Sequence, residues 1–139
     1  MLIEHELQID APIDVVWALT VDVESLPSIT PTMTSVSRLD HGGFGVGSQA
    51  RIVQPRQGAR LWTVPVFDAP HHFEWETRVG PLTMTGAHHL TARDGGTLNR
   101  LSVEVGGPLS GLLGRLVRKQ IAAAIATENE GFQKAATKN

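Results

Sequence analysis

Two titratable side chains in this sequence, His88 and Glu128, occupy positions from which acid-base chemistry could be run. His88 shares strand parity with Leu82, Met84 and Leu90, and Glu128 lies four residues before Phe132 on the apolar stripe of a helical pattern. Both are therefore expected to point inward. An imidazole that titrates near neutrality and a carboxyl group whose pKa rises on burial could exchange a proton or orient a polar group of a ligand. The alternative is a structural polar pair that ties helix to sheet, because buried polar groups find partners. Either role predicts that the two side chains approach one another, directly or through one water.

Large apolar side chains surround these positions in the sequence. Trp17, Trp62 and Trp75, with Met33, Phe73, Met84, Ile125 and Phe132, are candidates to line a flat hydrophobic pocket in which a few polar groups fix orientation. Plain core packing is the competing use of the same residues. Trp75 shares parity with Phe73 and Val79, which makes it the first choice for the wall, ahead of Trp62.

Other groups carry less. The doublets His71-His72 and His88-His89 invite a metal reading, but adjacent residues of a strand point to opposite faces, so each doublet gives one ligand to a site. A symmetric Gly80-Pro81 hairpin sets His72 against His89 on the outer face. Without a fixed carboxylate beside them the expectation is no metal site. Arg115, Arg118 and Lys119 beside Leu112, Leu116 and Val117 could brush an anionic membrane, though a solvated helix face is the simpler account. Gly42, Gly43, Gly45 and Gly47 do not precede a helix and lack a Gly-Lys-Ser/Thr sequence, so they read as a flexible loop at a cavity mouth and not a phosphate loop. No cofactor is expected.

Composition narrows the classes. The chain of 139 residues has the usual length of one domain, spanning 1–139, and its 41% apolar content suits a folded core. A formal charge of −2, with no aromatic residues alternating with Lys or Arg, argues against nucleic acid. The absence of cysteine removes disulfides and thiolate chemistry. The opening MLIEHELQID is too acidic for a signal peptide, and nothing approaches about eighteen uninterrupted apolar residues, so stable membrane insertion is not expected and a cytoplasmic location is.

The elements that must position these side chains follow from periodicity. Residues 2–10 alternate as a half-buried strand, Asp10-Ala11-Pro12 offers an N-cap to a short helix, and 22–27 suits a second. Strands are predicted at 33–39, 48–54, 60–67, 72–79, 82–92 and 97–105, separated by Gly, Pro and Asp turn signals. After Gly106-Gly107-Pro108 one long helical stripe carries Leu109, Leu112, Leu113, Leu116, Val117, Ile121, Ala124, Ile125, Glu128, Phe132 and Ala135. The expected fold is α+β: about seven strands in a curved antiparallel sheet, with the C-terminal helix across its concave face.

That order, together with IDAPIDVVWALTVDVESLPSITP at 9–31, GSQARIVQP at 47–55, LWTVPVFDAPHHFEWE at 61–76 and GAHHLTARDGGT at 86–97 leading into GGPLSGLLGRLVRKQ at 106–120, resembles the START-like helix-grip superfamily. The particular likeness is to the SRPBCC branch, the polyketide cyclase/dehydrase and lipid transport proteins. The resemblance implies a deep, mostly apolar cavity for a lipid, polyketide, hormone or aromatic compound. Carriers, receptors and cyclases share this fold, which does not choose among them; a binding or carrier protein is the leading expectation and a cyclase- or dehydratase-like enzyme the alternative. No enzyme's catalytic set carries over, and the lack of tyrosine removes a common polar handle.

Overall fold

The computed structural model describes residues 1–138, and the chain folds as one curved, seven-stranded antiparallel sheet gripping a long helix. The elements are β1 (Leu2–Ile9), α1 (Ile13–Val21), a 3₁₀ helix (Val23–Ser28), β2 (Ser35–Arg38), β3 (Gln49–Gln54), β4 (Gly58–Asp68), β5 (His72–Val79), β6 (Leu82–Arg93), β7 (Gly96–Gly106) and α2 (Ser110–Thr137). Strand order across the sheet is β1-β7-β6-β5-β4-β3-β2. The meander from β3 to β7 uses connections of two or three residues, a longer loop at 39–48 joins β2 to β3, and β1 closes on β7, with Leu2 opposite Glu104 and Ile9 opposite Thr97. Its first helix differs from expectation at the start: Pro12, not Asp10, holds the N-cap position, and no side chain caps it. Proline loses nothing there, because its missing N–H has no intrahelical partner at a helix start.

α2 packs against β1, β7 and α1. Its buried residues Ile125, Asn129 and Phe132 follow helical spacing in the C-terminal half, and Gly114 is buried near the N-terminus against the Met1 side chain. Burying Ile125 and Phe132 contributes about 1.5–3 kcal/mol each. Near the N-terminus the expected stripe breaks down. Leu109, Leu112 and Leu116 are exposed, whereas Leu113, Val117 and Ile121 are half-buried, the last two bordering the open space beneath the helix. Gly131 lets α2 lie close to Ile29, the residue that caps the 3₁₀ helix: a Cβ there would run into the Ile29 carbonyl oxygen.

Candidate functional site

Beneath the middle of α2, from Val117 to Glu128, the concave face borders a cavity of about 410 Å³. That volume lies within the range of about 300–1,000 Å³ found for small-molecule sites. Strands β3 to β7 supply Ile52, Trp62, Trp75, Leu82, Met84 and Leu101, Met33 comes from the segment before β2, and α2 closes the top with Val117, Ile121, Ala124 and Ile125. The exposed Arg56, Gln57 and Gln120 mark its mouth, between the β3–β4 turn and the helix. This position differs from the expected one. The glycine-rich loop at 42–47 lies instead at the filled end, where Phe44 packs edge-on against Phe73 at 5.4 Å and Trp75 at 6.4 Å between ring centroids.

The concave space is thus divided into an open half and a filled half. Trp17, Phe67, Phe73 and Phe44 interlock in tilted and edge-to-face contacts of 5.4–6.4 Å, geometries that aromatic quadrupoles favour. Three sequence candidates belong here and not to the cavity wall: Trp17, Phe73 and Phe132. Phe73 and Phe132 are fully buried among side chains, and Trp17 is wedged between Phe67 and Phe73. Strand or helix parity assigned them an inward direction but could not say whether that interior was full. Met33, Trp62, Trp75, Met84, His88, Ile125 and Glu128 do line the open half. Trp62 and Trp75 stand together, 6.0 Å apart and tilted by 49°, so parity gives no reason to rank one above the other.

His88 stands at the boundary. Its ring stacks on Phe73 at 4.7 Å and meets Phe132 edge-on at 5.9 Å. Burial first, then the nearby His89 and His72, hold its pKa down to about 3, so the imidazole is neutral across the physiological range. Its Nδ1 is buried and has no hydrogen-bond partner, and the same is true of Trp62 Nε1. Leaving such a group unpaired costs about 1–3 kcal/mol, so two of them on one apolar wall mark where a polar ligand atom would be welcome.

Glu128 enters the cavity from α2, and burial pushes its pKa up to about 7. Of the two expected modes of approach to His88, directly or through one water, the direct hydrogen bond is not formed among the described residues. The role of tying helix to sheet falls to the next residue. Asn129 Oδ1 accepts from Asn99 Nδ2 at 2.9 Å, while Asn129 Nδ2 lies 2.9 Å from His5 Nδ1 and donates to the His5 and Asn99 carbonyls at 3.2 Å. Sequence reading missed this network. The available signal was an asparagine in a strand and another on the helix's buried side, both otherwise out of place in a core.

On the opposite face of the sheet, His72 and His89 are cross-strand partners, as hairpin symmetry predicts, and their rings stack at 3.9 Å. The premise that no carboxylate accompanies them is corrected: Glu74 Oε2 lies 2.8 Å from His72 Nε2. Residues two apart on a strand share a face, and that spacing was overlooked.

The sequence matches the family model described as polyketide cyclase / dehydrase and lipid transport over residues 2–137. The chain belongs to this family. Solved structures agree with the family fold. A START superfamily protein from Mycobacterium smegmatis aligns with a TM-score of 0.80 at 14% identity, covering 97% of this chain and 96% of that one. Truncated norcoclaurine synthase from Thalictrum flavum gives 0.79 at 15% identity over 100% and 94%, and a protein of Thermus thermophilus gives 0.77 at 19% over 98% and 97%. At such identities the likeness establishes the helix-grip fold shared across the family. No curated protein matches the sequence. No helix among the described residues is long and apolar enough to cross a membrane.

Proposed function

We propose that this family member binds a hydrophobic small molecule, a lipid, polyketide or aromatic compound carrying one or two polar groups, in the cavity beneath α2. The observation that carries the reading is the pairing of an apolar wall with unpartnered Trp62 Nε1 and His88 Nδ1. The indole N–H is a donor, and a neutral imidazole nitrogen either donates or accepts according to its tautomer. A ligand carbonyl or hydroxyl could partner either atom, while the ligand's apolar body meets Trp75, Met84 and Ile125. Native mass spectrometry of freshly purified protein tests the reading: a retained organic molecule, or uptake of one equivalent of the neutral probe N-phenyl-1-naphthylamine, is expected. Protein that carries nothing and takes up no probe contradicts it.

A second reading, proton-transfer catalysis on such a molecule, is favoured by the place of Glu128 at the cavity, where burial pushes its carboxyl up to about 7, so that it could both give and take a proton. Glu128→Gln keeps shape and hydrogen bonding but cannot titrate. Binding of a neutral ligand should survive it nearly unchanged in a carrier, whereas turnover in an enzyme should fall by about 10²-fold or more.

A further inference from the structure

The outer face of the β5–β6 hairpin presents His72, Glu74 and His89, and one ligand atom from each lies within 4.8 Å of the other two. We propose that these three side chains form a binding site for a divalent transition metal, zinc by donor type, on the face of the sheet opposite the ligand cavity. Two imidazoles and one carboxylate are a donor set that zinc accepts, with a fourth position left for water.

The geometry favours capture over chance proximity. His72 and Glu74 project from alternate positions of one strand, and His89 is the direct partner of His72 in the neighbouring strand, so backbone pairing fixes all three Cα positions before any ion arrives. The Glu74 carboxylate is already held 2.8 Å from His72 Nε2, in the place from which it could share a metal. Bond lengths of about 2.0–2.2 Å from zinc require ligand atoms about 3.3–3.5 Å apart. Binding would therefore require rotation of the partly exposed side chains from the stacked arrangement.

Charge around the cluster also favours a cation. Its neighbours on this face include Glu4, Glu6 and Glu104, against two cations: Arg100, the cross-strand partner of His89, which pairs with Glu4 at 3.5 Å, and the N-terminal ammonium, which pairs with Glu104 at 3.4 Å. Metal bound here would clip β5 to β6, the strands whose inward residues include Trp75 and His88. The site is independent of the ligand-binding reading, because none of its three ligands lines the cavity.

The test is calorimetric titration of metal-free protein with zinc chloride, with the same titration on His72→Ala, His89→Ala and Glu74→Gln variants of unchanged far-ultraviolet circular dichroism. Loss of an outer-sphere partner alone weakens a metal site by about 10–100-fold, so removal of either histidine should weaken zinc at least about tenfold. One equivalent bound by the parent protein and lost in the histidine variants supports the site. No stoichiometric binding, or binding that survives in both histidine variants, overturns it. Should a variant fail to fold, histidine ring resonances of the parent protein decide the matter. Zinc should shift His72 and His89 together, and a response confined to His5, His41 or His71 overturns the proposal.

Discussion

Asn129 accepts a 2.9 Å hydrogen bond from the Asn99 amide at the point where the buried side of α2 crosses β7. With Ile125 and Phe132 buried on the same side, that bond helps fix the rotation of the helix about its own axis. Glu128 precedes Asn129 by one residue, hence by about 100° of turn, so seating Asn129 against the sheet aims Glu128 at the cavity. Replacing Asn129 with alanine removes the bond and strands the Asn99 amide in a dry site. Urea denaturation should show a loss of about 2–3 kcal/mol, and N-phenyl-1-naphthylamine binding should weaken as the helix loses its fixed rotation.

The cavity's two titrating groups should tilt stability in opposite directions as pH changes. His88, ordinarily near 6.5 and held at about 3 in the folded protein, binds its proton more readily when unfolded; its contribution to stability is full above about 6.5 and is lost as pH falls toward 3. Glu128, ordinarily near 4.5 and raised to about 7, holds its proton more tightly when folded, so stability falls as pH rises from about 4.5 to 7. Between about 4.5 and 6.5 the two slopes oppose. Glu128→Gln should therefore make unfolding free energy rise more steeply with pH over this window than in the parent protein. Urea titrations at half-unit pH steps check it, and parallel curves for the two proteins would be the contrary result.

Much of the scaffold was legible because its signals are local. Alternation marked β5 and β6, and Gly-Pro and Asp-Gly pairs marked their turns, so the predicted register of His72 opposite His89 matches the pairing found. The division of the interior was not legible. Trp17, Phe73 and Trp75 are alike to any periodicity argument, yet the first two fill space and the third borders it, a distinction made by long-range packing. Phe44 was hidden for a similar reason: a lone aromatic residue among glycines reads as loop until its partners Phe67 and Phe73 are known. The exposed Leu112 and Leu116 follow from the same limit, since helical spacing identifies a stripe but not how far the sheet extends beneath it.

Gly131 offers a test of helix placement. Alanine is the better helix former by about 1 kcal/mol, and on propensity alone Gly131→Ala should stabilise α2. Its Cβ would collide with the Ile29 backbone oxygen, which belongs to the end of the 3₁₀ helix and cannot swing aside. A net loss of about 1–3 kcal/mol is expected in thermal or urea unfolding. Gly111, where a Cβ meets nothing, is the control, and Gly111→Ala should be neutral or stabilising.

The central claim is that the open half of the interior is a ligand site, and filling it is the most direct test. Ala124 sits on α2 facing this space, between Ile121 and Glu128. Fluorescence titration with N-phenyl-1-naphthylamine should give saturable binding at one site in the parent protein, weakened about tenfold or more in Ala124→Trp, whose folding is checked by circular dichroism. Equal binding by the parent and by a folded Ala124→Trp protein would contradict the account, because the probe would then be held somewhere other than beneath α2.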